Sequence, residues 1–241
     1  MPILKKRDTS KKRKKKKKHK DASGNNGKKR SGGKMKHLFI LQHGLWGAPG
    51  HVLHVRNTII KKLDSDDDMS VHTYLVQNNK FIKTYSGIRE CGRRLYKECK
   101  PIIEEIQPTH ISFIGYSAGG LFVRYALSLF DQDGLFNSVV PMNLCLLCSP
   151  NAGTYRFEQQ DYDIFPNLNI YNFAIENMPS FIGGKTAREF VFQDNYKYSV
   201  STPRSNDKKY PLIHLMSLEP FVSTIRKFKT RKIYGNIYNR E

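Results

Sequence analysis

Five residues near the middle of the chain, Gly115-Tyr116-Ser117-Ala118-Gly119, have the types and spacing of a nucleophile site. They lie inside THISFIGYSAGGLFVRYALSLF, residues 109–130, where an apolar run ends at Gly115 and a segment with helical spacing follows. A strand that enters a helix through so tight a turn throws the turn residue beyond the carboxyl end of the sheet. The residues two before and two after must be small or they collide, and Gly115 and Gly119 meet that demand. Ser117 Oγ would then stand at a helix N-terminus, where the dipole and free backbone N–H groups favour developing negative charge. The chemistry that suits this placement is attack of the hydroxyl on a carbonyl carbon.

A second stretch, LQHGLWG at 41–47, supplies a complement. It follows an apolar run and places His43-Gly44 at the end of that run. Taken together, the two stretches fit the nucleophile elbow and oxyanion loop of an α/β-hydrolase. Leu45 is then the expected backbone N–H donor from the first loop, with Ala118, the residue after the serine, as its partner.

A serine also needs a base, and the usual order in such chains is serine, then acid, then histidine. His214, in PLIHLMSLEP, is the one histidine after Ser117. By elimination the base is His214, or His43 or His51 from the oxyanion side, with Asp194 or Glu241 as the orienting acid. His51 and His54 lie one helical turn apart, with no cysteine or carboxylate to complete a ligand set, so no metal is expected. No phosphate loop, dinucleotide fingerprint or calcium loop is present, and no cofactor is expected.

The elements that must position these groups are legible as alternation. Strands are expected at 36–44, 71–77, 110–116, 142–149 and 229–237, from apolar, β-branched and aromatic runs. Helices are expected from about Gly50 to Lys62, over the segment SGIRECGRRLYKECKPIIEEI with a kink or break at Pro101, and over AGGLFVRYALSLF. Further helix is expected around 184–194 and 211–227. The fold class is therefore α/β: an α/β-hydrolase-like, mostly parallel sheet with helices on both faces and an incomplete C-terminal part. Trp46, Phe165, Tyr171, Phe173, Phe181 and Ile182 could line or cover an acyl-chain cavity, or pack as core and cap.

Charge divides the chain. Residues 1–34 hold 16 Lys and Arg against Asp8 and Asp21, whereas the whole chain has 41 basic and 21 acidic residues. Residues 1–34 therefore read as a disordered basic tail, and 35–241 as one hydrolase domain. Such a tail can attract nucleic acid, acidic lipid or a nuclear import receptor. Neither a signal peptide nor a membrane span is expected. Cys145 and Cys148 have CxxC spacing in a strand-like run, which would point their thiols to opposite faces. All four cysteines are expected to be reduced, in a cytoplasmic protein. Membrane or lipid-droplet association and nuclear entry are the alternatives.

The chain resembles the eukaryotic lipase-like serine esterases, a family of α/β-hydrolases assigned to acyl ester and lipid hydrolysis. The matching stretches run in order: FILQHGLWG, TYSGIRECGRRLYKE at 84–98, ISFIGYSAGGLFVRYAL, NLCLLCSPNAGT, GKTAREFVFQD at 184–194, LIHLMS and FKTRKIYGNIYN. The resemblance implies a lipid or small acyl ester as substrate and contact with a membrane or lipid-droplet surface. It also implies an acid just after the last strand, in an Asn-Asp pair, and a histidine well beyond it. Here that pair reads Asn239-Arg240, and Asn151 replaces the histidine of the family's Pro-His-Leu-Gly segment. The expectation is a truncated esterase, a degenerate hydrolase that binds lipid or protein, or an enzyme with a substitute base.

Overall fold

The computed structural model describes residues 34–63, 67–154, 184–194 and 210–235. The basic tail, the aromatic residues from Phe165 to Ile182 and the Asn239-Arg240 pair lie outside the described residues. The chain divides into two units, Met1–Lys34 and Met35–Glu241.

The second unit is built on five parallel strands among the described residues: β1 (Met35–Gln42), β2 (Met69–Leu75), β3 (His110–Tyr116), β4 (Val140–Leu147) and β5 (Thr230–Tyr234). Their spatial order is β2-β1-β3-β4-β5, and every neighbouring pair is parallel. The helices are α1 (Leu53–Leu63), α2 (Ile88–Ile106), α3 (Ala118–Gln132), α4 (Gly184–Phe190), α5 (Leu212–Leu215) and α6 (Phe221–Arg226). Strand periodicity of two decides which side each residue buries. Leu38, Ile40, Ile111 and Phe113 face one way, where they meet Leu95 and Cys99 of α2 and Val123 and Leu127 of α3. Phe39, Leu41 and Ile114 face the other way, against Val55, Ile59 and Leu63 of α1. Helices thus cover both faces, as expected, and the middle strands are mostly apolar because neither side meets water.

The strand order sets where a site can form. β1 hands the chain to β2 on one side, and the chain then crosses back to β3 on the other. The loops leaving the carboxyl ends of β1 and β3 therefore diverge, and the crevice between them is the switch point of the sheet. Gln42 pairs in register with Gly115, so both strands deliver their last residues to the same height.

Some element bounds and details differ from expectation. α2 runs unbroken through Pro101. Pro101 is exposed, while Leu95 and Cys99 before it and Ile103 after it sit in one core cluster, so packing holds both halves across the missing N–H bond. The helix expected within 211–227 takes the form of two short helices, parted by residues 216–220. β4 begins and ends two residues earlier than expected. Cys148 consequently leaves the strand, with φ of 48°, and is exposed, while Cys145 is half-buried; none of the four cysteines is in a disulfide.

Candidate active site

β3 ends at Tyr116, and α3 begins at Ala118, so a single residue makes the turn. That residue is Ser117, with φ 52° and ψ −130°, a region open in practice only to glycine. Its backbone N–H is bonded to Leu147 O at 2.8 Å, which ties the turn to the end of β4. Its own carbonyl accepts Gly120 N–H at 3.0 Å. Ser117 is half-buried, between exposed Tyr116 and buried Ala118.

The glycines around it are required by close approach. A Cβ on Gly115 would lie 2.4 Å from Gly120 Cα, and one on Gly119 would lie 2.4 Å from His43 O and 2.5 Å from Gln42 O. The start of α3 is thereby pressed against the end of β1. Gly120 is a further case, since a Cβ there would meet Ser149 Oγ at 2.2 Å. The loop after β1 comes back over the serine: a Cβ on Gly44 would lie 2.7 Å from Ser117 Cβ and 3.0 Å from Ser117 Oγ. The structure thus brings His43, Gly44, Gly115, Ser117 and Gly119 into one place.

His43 is fully buried and sits under this loop. Its Nδ1 is 3.1 Å from Gly44 O, which assigns the ring proton to Nδ1, and its Nε2 has no hydrogen-bond partner among the described residues. Burial lowers its pKa, the Gly44 carbonyl opposes that, and the charges of His51 and Lys80 add to the lowering. The ring is neutral near pH 7. Gly47 closes the loop with an N–H bond to Gly44 O at 3.1 Å, and a Cβ at Gly47 would strike His43 Nδ1.

Residues distant in sequence hold this loop. Trp46 N–H donates to Thr84 Oγ1 at 3.0 Å, Trp46 Nε1 donates to Tyr85 Oη, and Phe81 N–H donates to Gly47 O at 3.0 Å. Thr84 is itself fixed by Thr186, whose hydroxyl donates to Thr84 O at 2.5 Å. The buried carboxylate of Glu189 accepts Ile88 N–H at 2.5 Å, at the N-terminus of α2, where the helix dipole favours an anion. At the end of β1, Gln42 Nε2 donates to His43 O at 2.7 Å, and Gln42 Oε1 accepts from Asn79 at 3.1 Å. The loop after β4 is held by Arg124, which donates to Asn151 O at 3.0 Å and to Met216 O at 2.8 Å. Gln42, Asn79, Thr84, Arg124 and Thr186 were not legible as site residues. The signal for Thr84 and Arg124 lay in the stretches that resemble the family, TYSGIRECG and FVRYAL.

The acid and base positions singled out in the sequence have other partners among the described residues. His214 is on the outer side of α5, exposed and stacked on Tyr210 with centroids 5.1 Å apart. Asp194 Oδ2 accepts Leu212 N–H at 2.8 Å, which caps α5, and its Oδ1 is buried without a partner among the described residues. Burial raises the Asp194 pKa, against the Leu212 N–H bond and the Lys185 charge. His51 is exposed in the turn before α1. Among the described residues no imidazole is hydrogen-bonded to Ser117 Oγ. A cavity of about 270 Å³ lies beside Arg124, Leu146, Asn151 and Ile225, and Ser117 is not in its lining. No group of three or more His, Cys, Asp or Glu could hold a metal among the described residues.

A parallel sheet of this order, with a left-handed serine at the strand-to-helix turn and a glycine loop folded over it, defines an α/β-hydrolase. The chain belongs to the family described as "Putative serine esterase (DUF676)", whose pattern matches residues 33–241. Two relatives from Saccharomyces cerevisiae are similar in sequence. "Putative lipase ROG1" is 24% identical over 209 residues, which is 86% of this chain and 27% of that protein. "Putative lipase YDL109C" is 28% identical over 211 residues, which is 84% of this chain and 28% of that protein. The chain thus spans little more than a quarter of either relative. Among solved structures, a putative cell surface hydrolase from Lactobacillus plantarum is similar at a TM-score of 0.41 and 12% identity, over 83% of this chain and 81% of that one. The lin2722 product of Listeria innocua is similar at 0.40 and 12%, over 83% and 84%.

Proposed function

We propose that this chain carries the nucleophile of a serine esterase that hydrolyses acyl esters of lipids. Ser117 Oγ attacks the ester carbonyl, the alcohol leaves with a proton, and water then releases the acid from the acyl-serine. The oxyanion of each tetrahedral intermediate is held by Leu45 and Ala118 N–H. The observation that carries this reading is the strained backbone of Ser117 with Gly44 folded against its side chain. Hydrogen-bond accounting supports the choice of donors. The N–H groups of Trp46, Gly47, Ser117 and Gly120 are already bonded within the fold. Ala118 is in the first turn of α3, where N–H groups have no intrahelical acceptor.

A second reading, a hydrolase fold that binds lipid without cleaving it, is favoured by the partners of His214 and Asp194, which are Tyr210 and Leu212 rather than Ser117. One experiment separates the two. A fluorophosphonate probe labels wild-type protein and spares Ser117→Ala, and the same substitution abolishes hydrolysis of a short-chain p-nitrophenyl ester. Folded wild-type protein that neither takes the label nor releases p-nitrophenol overturns the esterase reading and leaves the binding one. Cytoplasmic residence belongs to the same proposal.

A further inference from the structure

The rim of the serine crevice bears an apolar tip that the fold does not use. Phe81 and Ile82 are 62% and 74% exposed, and Trp46 beside them is 41% exposed. They are contiguous, because Phe81 N–H is bonded to Gly47 O, next to Trp46 in the loop that lies over Ser117. Single exposed apolar side chains are ordinary on a protein surface, but three together at a functional rim are not.

The tip is held firmly in place. Thr84 Oγ1 donates to Phe81 O at 2.5 Å, and Lys83 N–H to Lys80 O at 2.9 Å. Lys83 O accepts from Arg94 at 2.9 Å and from Ser86 Oγ at 3.0 Å, and Arg94 reaches Ser86 Oγ at 3.2 Å. Phe81 moreover adopts φ of 47°, a left-handed conformation that a bulky residue rarely takes. Asparagine or glycine would relax that backbone. The chain instead keeps an aromatic ring there, strained and turned to solvent, so the residue is not chosen for stability.

Two cations frame the tip, since Lys80 and Lys83 flank Phe81-Ile82. Neither Met35–Leu63 nor Met69–Arg89 contains an aspartate or glutamate. Neither lysine pairs with a carboxylate among the described residues. Apolar and aromatic side chains between unpaired cations, all on one rigid edge, suit the boundary between anionic headgroups and acyl chains.

We propose that Trp46, Phe81 and Ile82, framed by Lys80 and Lys83, form a docking edge that inserts into an anionic lipid surface and presents the Ser117 crevice to it. The orientation of the crevice rests on the esterase reading above; the insertion does not. No helix among the described residues is long and apolar enough to cross a membrane, so attachment through this edge is peripheral.

Trp46 is the only tryptophan in the chain, which makes the test specific. The full chain is mixed with vesicles of phosphatidylcholine and phosphatidylserine, with and without bromine on the acyl chains. The 34-residue basic tail can itself bind such vesicles by charge, so the readout is the depth of Trp46 rather than binding. The expected result is a blue shift of Trp46 emission and quenching by the brominated lipid. Phe81→Asn/Ile82→Ser, both at exposed positions, should lose the quenching and weaken insertion roughly tenfold or more. Lys80→Gln/Lys83→Gln should weaken it on phosphatidylserine vesicles and leave pure phosphatidylcholine unaffected. Vesicle binding with Trp46 emission unmoved, or equal quenching in the Phe81/Ile82 variant, overturns the proposal. Quenching by a wild type inert to fluorophosphonate would retain the docking edge and reject the esterase; labelling without quenching would do the reverse.

Discussion

A buried histidine lies near each end of β1, and the two are treated in opposite ways. Near the amino end, His37 Nε2 lies 2.8 Å from Ser112 Oγ. That oxygen also accepts Asn143 N–H at 3.1 Å and Asn143 Nδ2 at 3.0 Å. With both lone pairs filled, the Ser112 hydroxyl donates to His37, whose own proton is then on Nδ1. Just beyond the carboxyl end, His43 leaves Nε2 without a partner, and Ser149 Oγ nearby is equally unpaired among the described residues. Ser117 holds a glycine-like backbone there, and successive glycines touch main chain. Near the amino end the Ser112 hydroxyl is fully bonded, and none of His37, Ser112 and Asn143 takes a positive φ. The other end concentrates unpaired groups and strain where the proposed chemistry lies, as functional sites commonly do.

The largest test of this contrast is steric. In Gly119→Ala the new Cβ meets two main-chain oxygens at 2.4 and 2.5 Å, neither of which can move without displacing β1. The helix-propensity gain of alanine, about 1 kcal/mol, does not offset an overpacking cost of roughly 3 kcal/mol or more. Denaturant titration should show that loss, and surviving folded protein should not take the fluorophosphonate label. Gly50→Ala, with nothing within 4 Å of the new methyl, should stay within about 0.5 kcal/mol of wild type. A Gly119→Ala protein as stable as wild type would refute the claim that the elbow is pressed against β1.

The same contrast explains what could be read in the sequence. Ser117, Gly115, Gly119 and His43-Gly44 were legible because strand-to-helix crowding restricts residue type at fixed spacing, and spacing is local information. The parallel sheet was legible from apolar runs such as FILQ and ISFIG, buried on both faces. Thr84, Asn79, Arg124 and Thr186 were not, because each acts on a loop tens of residues away, and only the folded chain sets that pairing. The outward side of His214 was hidden for the same reason: a four-residue helix gives no periodicity from which to read its buried side. At Pro101 the break that local propensity allows does not occur, because tertiary packing holds both halves of α2.

The next test is acid. Burial, with a smaller effect from His110, pushes the His37 pKa down to about 4 from 6.5. The folded state keeps this ring neutral while the unfolded chain takes up a proton near pH 6.5. Stability is therefore complete above that pH and falls as the pH drops from about 6.5 towards 4. The loss has an upper bound of about 3 kcal/mol for this one group. His37→Asn should flatten that part of the stability profile even if it is less stable at pH 7. Ser112→Ala removes the shared oxygen from three partners and should cost about 2 kcal/mol. An acid profile unchanged by His37→Asn would show that the amino end is not the sensitive one.

The smallest effect has the opposite sign, and it distinguishes the two ends most sharply. Ser117 stands at the N-cap of α3, yet its side chain makes no capping hydrogen bond. Removing the hydroxyl therefore forfeits no bond, whereas the backbone strain it bears is worth about 1–3 kcal/mol. Glycine accepts this conformation freely but gains entropy in the unfolded chain, which returns about 0.5–1 kcal/mol. Ser117→Gly should then be more stable than wild type by about 1 kcal/mol, and Ser117→Ala, which keeps its Cβ and the strain, should be close to neutral. Both variants should lose all fluorophosphonate labelling. Deleting a serine hydroxyl thus destabilises the chain at position 112 and, with relief of the backbone, stabilises it at 117. If Ser117→Gly were instead destabilising by as much as Ser112→Ala, the hydroxyl at 117 would be a structural group. The strain would then have to be explained without the proposed chemistry.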